Sequence, residues 1–356
     1  MRGIIANPLA VLFGIMETLF QDIQLNENDY FRAIVLYGRN VASYKFALAD
    51  SLFNVASQGK DFATLEELAV PFSDALCRHL EIQDKQSTAR TSQFLDTLRS
   101  FNQGEIEAQQ KNEATVRMGF INVIDAFHVV GSGDVPVRFF HDERNASTPG
   151  IRLTDELLKM TSEVEAKDLL EENESRWRLV ETAWAYNVPQ RLVTVNYDEQ
   201  LASFYAIDNF ERRHGVTGAA PALNGYQRGK CFYCNRQIHL GDWQLLSERG
   251  EVDHFFPHVL QRSGDIEIDL DQAWNLVLAC NRCNGASEKR DLCPDISYVE
   301  DLHRRNENWI QSHHPLRESI IARTGKNEVD RRRFLQSCYN TAKTSLIHTW
   351  KTNKLL

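Results

Sequence analysis

Long apolar runs are missing from this chain of 356 residues. Its most hydrophobic opening stretch, Ile4 to Phe20, is broken by Asn7, Pro8, Gly14 and Glu17. That leaves it short of the roughly 18 unbroken apolar residues a membrane-spanning helix needs. An A-x-A cleavage signal is missing too, which argues against a secretory leader. Leu9, Leu12, Phe13, Met16, Leu19, Phe20 and Ile23 recur at helical spacing, so a buried amphipathic helix is expected, with no membrane and a cytoplasmic location. Repeats and low-complexity tracts are absent. With 42% hydrophobic and 25% charged residues, the composition is that of an ordinary globular protein rather than a fibrous or disordered one. An even set of cysteines is lacking as well: there are seven. An odd count, four of them in two C-x-x-C pairs, fits metal ligation in a reducing compartment better than a disulfide framework.

Positive charge is also in deficit, at 40 Lys and Arg against 49 Asp and Glu. The deficit is uneven. Residues 1–225 carry 21 basic against 32 acidic side chains, residues 226–298 carry 8 against 11, and residues 299–356 carry 11 against 6. The basic excess therefore lies in the tail, where Arg304-Arg305 and Arg331-Arg332-Arg333 are candidates for backbone phosphate contacts.

Residues 1–200 read mainly as helices, with helical periodicity over Phe31–Leu52, Thr64–Leu80, Thr115–Val130 and Glu165–Tyr186. Val135–Phe140 and Leu192–Val195 are candidate strands or extended loops. Small residues around Pro221 then lead into a stretch rich in cysteine, histidine and turn formers. Three regions follow: a helical 1–224, a distinct 225–295, and a basic helical 296–356.

Cys231-Phe-Tyr-Cys234 and Cys280-Asn-Arg-Cys283 stand 45 residues apart. Each C-x-x-C turns two thiolates toward one ion, and two such turns complete the closed tetrahedral set of structural Zn²⁺. Between them lies Glu251-Val-Asp253-His254-Phe-Phe-Pro257-His258, followed by Trp274-Asn275-Leu and, after Cys283, by Asn284. A hairpin of Trp243–Leu246 with Glu251–His254 is expected to carry the Asp-His pair.

This order of motifs resembles the ββα-metal HNH endonucleases over about a fifth of the chain. The resemblance implies an α+β protein, mostly helical, with an embedded zinc-stapled HNH module. It implies His254 as the general base, with Asp253 and Asn284 as ligands of a catalytic Mg²⁺ or Mn²⁺, and with Asn275 holding His254 in place. The lysine often found three residues after the closing Asn is Ser287 here, and Lys289 and Arg290 are candidates to contact the phosphate instead. His258 is assigned to structure or substrate proximity, His239 to packing or solvent, and Asp265, Asp269 and Asp271 to a solvated acidic loop. The flanking Leu-Asn-Gly-Tyr-Gln (223–227) and Ser-His-His-Pro-Leu-Arg (312–317) bear a weaker likeness to larger HNH proteins of prokaryotic defence loci, which suggests anti-phage defence or restriction. The implied substrate is DNA, with RNA also open, and the acidic 1–224 region suits a protein partner, target recognition or restraint of the nuclease. The competing expectation is a non-catalytic zinc-stapled adaptor that binds nucleic acid or protein.

Overall fold

The computed structural model describes residues 25–37, 41–130, 133–185, 195–198, 203–207, 213–240, 246–264, 266–285, 288–311 and 317–352. The apolar opening 1–24 and Ser287 lie outside the described residues. Helices dominate, small sheets accompany them, and the fold is α+β. Two compact units form, Met1–Asn187 and Val188–Leu356, so the expected boundaries at 224/225 and 295/296 both fall inside the second. Among the described residues no helix is long and apolar enough to cross a membrane.

The first unit is built on Glu27–Tyr37, Tyr44–Ser57, Leu65–Ile82, Gln93–Asn102 and Ala166–Ala185. Two helices replace the single one expected over Phe31–Leu52. The chain is drawn aside between them, where Ala42 bridges to Ser87 and the Ser43 amide donates to the Gln86 carbonyl at 3.1 Å. Leu65–Ile82 begins at a reciprocal cap, the Thr64 hydroxyl accepting from the Glu67 amide and Glu67 accepting from the Thr64 amide. Thr115–Val130 is not one helix either: a π-turn at Thr115–Gly119 and a short helix at Val123–Ala126 lead into a strand at Val129–Val130.

Beside the helices lies an antiparallel sheet ordered Phe62–Thr64, Gly150–Leu153, Phe140–Asp142. Its central strand needs glycine at position 150, since a Cβ there would lie 2.3 Å from the Ala63 carbonyl oxygen. The long helix Ala166–Ala185 is fastened by buried polar contacts. Glu172 takes Arg32 in a two-bonded ion pair at 2.8 and 3.0 Å, and Glu181 accepts from His79 at 2.8 Å.

The second unit opens with an antiparallel sheet of Val195–Asp198, Ser203–Ile207 and Arg213–Gly218, followed by the helix Ala219–Gln227. Its centre is an antiparallel pair in which Gly250–His254 runs against Leu276–Cys280, with His254 opposite Leu276 and Gly250 opposite Cys280. Of the expected hairpin, residues 243–245 lie outside the described residues, as do 192–194 and Asp265. Leu246–Glu248 is a 3-10 turn, and the strand observed beside Gly250–His254 comes from 22 residues further on. Leu276–Cys280 is an unbroken buried apolar strand, and so can pack on both faces. Its outer edge is closed by Gln227, whose amide gives one hydrogen bond to the Leu278 carbonyl (2.7 Å) and takes one from the Leu278 amide (2.8 Å). The strand runs directly into the short helix Asn281–Asn284.

Helices Ser297–Gln311, Arg317–Thr324 and Glu328–Leu346 follow. Here the basic tail turns inward. Arg331 forms a buried fork with Glu307 (2.5 and 2.6 Å), and Arg305 is buried against the Ala273 and Trp274 carbonyls at 3.2 and 3.1 Å. Arg304 pairs with Asp301 and Arg332 with Glu300. Arg305 and Arg331 thus brace the unit from inside. Every acid in these pairs belongs to residues 299–356, so the segment keeps its basic excess, with Arg332 and Arg333 exposed.

Candidate functional site

The two C-x-x-C turns meet. All four sulfurs, of Cys231, Cys234, Cys280 and Cys283, lie within 4.8 Å of one another, and those of Cys234 and Cys280 are 3.7 Å apart. Tetrahedral zinc with Zn–S bonds of about 2.3 Å separates its sulfurs by roughly 3.8 Å, so the donor set fits the ion. The first turn is shaped by its backbone. The Asn235 amide returns to the Cys231 carbonyl at 2.9 Å, the Cys231 amide reaches the Arg236 carbonyl at 2.8 Å, and Asn235 sits at φ 60°. Asparagine tolerates that left-handed conformation better than most residues. The Phe232 amide then ties the turn to the Leu278 carbonyl at 3.0 Å.

The second turn spans the end of Leu276–Cys280 and the helix after it, which fixes Cys280 and Cys283 about one helical turn apart. The last described residue, Thr352, brings its hydroxyl within 3.8 Å of the Cys283 sulfur. Packed this closely, the thiols cannot ionise alike. Hydrogen bonding with Cys231 is the largest influence in both cases: it draws Cys280 down to about 7 and pushes Cys283 up. A bound cation removes that conflict by favouring thiolate at all four positions.

Next to the cysteines, the Asp253 carboxylate is wholly engaged. It accepts from the Tyr233 hydroxyl at 2.6 Å and from Lys289 Nζ at 3.0 and 2.9 Å, and the same ammonium donates to the His254 carbonyl at 2.7 Å. Asp253 is 7% exposed and Lys289 0%. Burial and the neighbouring Asp253 charge both hold the Tyr233 phenol well above its ordinary range, so it stays a donor. Asn284 is elsewhere: its amide donates to Glu251 at 3.3 Å, beside Asn281, which donates to the same carboxylate at 2.9 Å.

In this structure Asp253 is bonded to Lys289 and Tyr233 and the Asn284 amide nitrogen to Glu251, so an ion shared by Asp253 and Asn284 is not shown. Lys289 is likewise an inner ion pair rather than a phosphate contact at the surface. Arg290 is exposed, in a left-handed conformation at φ 34°, with Asp291 3.7 Å away.

His254 faces another set of groups, as alternation along a strand requires. Its Nε2 lies 2.7 Å from Asp271 Oδ1, while His258 Nε2 lies 3.6 Å from Asp271 Oδ2. The His254 side chain is 11% exposed and that of Asp271 29%, so the pair borders solvent. Burial alone would raise Asp271. The hydrogen bond to His254 and the charges of His254, His258 and Arg262 outweigh it and hold the carboxyl below its usual range.

Asn275 is fully buried and works on the backbone that follows His254. Its Oδ1 accepts from the Phe256 amide at 2.9 Å, and its Nδ2 donates to the carbonyls of Phe256 and Leu270 at 3.0 and 3.1 Å. One side chain thus clamps the turn after His254 to the loop that carries Asp271. His239 is buried, with its backbone bonded to Glu248 and Gly250.

Compared with protein-family models, with curated proteins and with solved structures, the chain matches none. Its chemistry rests on the residues themselves. Three of these, Tyr233, Glu251 and Asp271, have contacts that no motif in the sequence marks, and the composition around Asp271 is that of a solvated loop.

Proposed function

We propose that this protein is an HNH-type endonuclease that hydrolyses phosphodiester bonds in DNA, with His254 as its general base. The observation carrying this reading is the position of His254. It stands at the end of a strand–strand–helix unit stapled by four cysteines, at the solvent border, with Nε2 2.7 Å from a carboxylate. An imidazole oriented in this way by a carboxylate is suited to taking a proton at its other nitrogen. In the step proposed, water gives a proton to His254 and its oxygen bonds to phosphorus. The P–O bond to the leaving oxygen breaks, and that oxygen takes a proton from solvent. Structural Zn²⁺ holds the frame. Asp253 and Asn284, with the carboxylate bonded to Lys289, are the residues that would hold Mg²⁺ or Mn²⁺, and no step is assigned to that ion.

The test compares plasmid, linear DNA and RNA, each with Mg²⁺, Mn²⁺ or EDTA. Cleavage by the wild type is expected to fall at least about 10²-fold in His254→Ala, with the circular dichroism spectrum unchanged. Equal rates in the two proteins would remove the catalytic assignment.

A second reading is favoured by the closed Asp253–Lys289–Tyr233 cluster: a zinc-stapled module that binds nucleic acid or protein without turnover. It predicts DNA binding in gel shift and no cleavage under any of these conditions. A role in phage defence or restriction, and a docking or restraining role for residues 1–224, remain part of the proposal. They would be tested by phage challenge of cells carrying the wild type or His254→Ala.

A further inference from the structure

We propose that Asp271 is the positioning residue of the site: it fixes the His254 tautomer and orientation, and it gathers His258 onto the same carboxylate. This deepens the nuclease reading and rests on it for its catalytic meaning, but the positioning itself stands on geometry.

The loop bearing Asp271 is built to hold that side chain still. The Asp271 amide donates to Asp269 Oδ1 at 2.9 Å, Gln272 Nε2 donates to Asp269 Oδ2 at 2.7 Å, the Leu270 amide donates to Gln261 Oε1 at 3.0 Å, and Asn275 takes the Leu270 carbonyl. So Asp269, the neighbouring acid, is spent on the loop, and Asp271 is the one aimed outward. Its Oδ1 accepts from His254 Nε2. An ionised carboxylate can only accept, so neutral His254 carries its proton on Nε2, and its basic lone pair is on Nδ1.

His258 is set the same way from its other side. Arg262 Nε donates to His258 Nδ1 at 3.0 Å, which leaves the His258 proton on Nε2, facing Asp271 Oδ2. At 3.6 Å this second contact is electrostatic rather than a hydrogen bond. The two rings lie 5.4 Å apart between centroids. A positive charge formed on His254 would therefore appear against a fixed anion, which is the effect by which such a carboxylate assists a base.

The experiment uses the full chain with ¹⁵N-labelled histidine, with the His254 signals assigned by their loss in His254→Ala. Wild-type His254 is expected as the Nε2–H tautomer. In Asp271→Asn the amide can donate to Nε2, so the Nδ1–H form should appear, and Asp271→Glu should restore the original tautomer. On cleaved DNA, Asp271→Asn should lower kcat by about 10²-fold with KM little changed.

A His254 that keeps the Nε2–H tautomer in Asp271→Asn overturns the proposal, and so does a wild-type kcat in that variant. A wild type that cuts no nucleic acid overturns the nuclease reading instead, and the tautomer result still decides what Asp271 does.

Discussion

A chelator strong enough to strip four thiolates is expected to unfold the Val188–Leu356 unit. The reason is where the sulfurs sit. Cys231 and Cys234 belong to the turn that follows Ala219–Gln227, while Cys280 and Cys283 join the central strand to the helix Asn281–Asn284. One ion bound there would link segments far apart in sequence, and the strand pair between them is only five residues long. Without the ion, buried thiols would face one another with conflicting protonation, and the two turns would be left with little more than the Phe232–Leu278 backbone bond. Structural zinc in small domains contributes about 10–16 kcal/mol of apparent free energy, comparable to the whole stability of an ordinary domain at about 5–15 kcal/mol. One zinc per chain is expected by elemental analysis, with loss of hydrogen-exchange protection over 219–311 on chelation. Cys231→Ser and Cys280→Ser should reproduce the loss. Cys338→Ser, at a buried cysteine outside the cluster, should retain the zinc. A chain that keeps its protection with no zinc bound would refute the staple.

The staple was legible because the spacing of a C-x-x-C pair is itself geometry: two thiolates three residues apart reach one ion whatever lies between the pairs. Asn275 was partly legible, since a buried amide ahead of an apolar strand has few uses other than to satisfy backbone. Its clamp falls on Phe256, two residues past the histidine it was expected to hold. Asp271 was not legible. It reaches His254 across a 17-residue separation, and its neighbours Asp265, Glu267 and Asp269 give the loop the composition of a solvated excursion.

The strand Leu276–Cys280 was not legible as a neighbour of Gly250–His254 for a related reason. A turn signal at Glu248–Gly250 points to a partner close in sequence, whereas this buried apolar run is brought alongside only by folding. Charges misled most. A lysine or arginine in a basic stretch reads as exposed, yet Lys289, Arg305 and Arg331 are all buried, because each finds carboxylates or carbonyls that offset its desolvation.

Breaking the Asp253–Lys289 pair should be costly, and the way in which stability is regained distinguishes the two readings of this chain. Lys289→Met leaves a buried carboxylate with only the Tyr233 hydroxyl and loses the bond to the His254 carbonyl. Removing one partner of a buried pair costs about 3–5 kcal/mol, whereas replacing both by apolar groups of like volume is often neutral. At roughly 2–4 °C per kcal/mol for a unit of this size, the single variant should melt on the order of 10 °C below the wild type. Asp253→Leu with Lys289→Met should recover most of that loss. The informative arm adds Mn²⁺ or Mg²⁺ to each protein during melting. If Asp253 serves only the fold, no variant responds to the ion beyond the wild type. If Asp253 is a metal ligand that Lys289 blocks, Lys289→Met should regain stability in Mn²⁺, rising with the logarithm of ion concentration above Kd, and the double variant should not. The second outcome would return Asp253 to the role its sequence motif implies and make release of Lys289 a condition of metal-dependent cleavage. The first would leave His254 and Asp271 as the reactive centre and the Asp253–Lys289 pair as the pin that secures the His254 backbone.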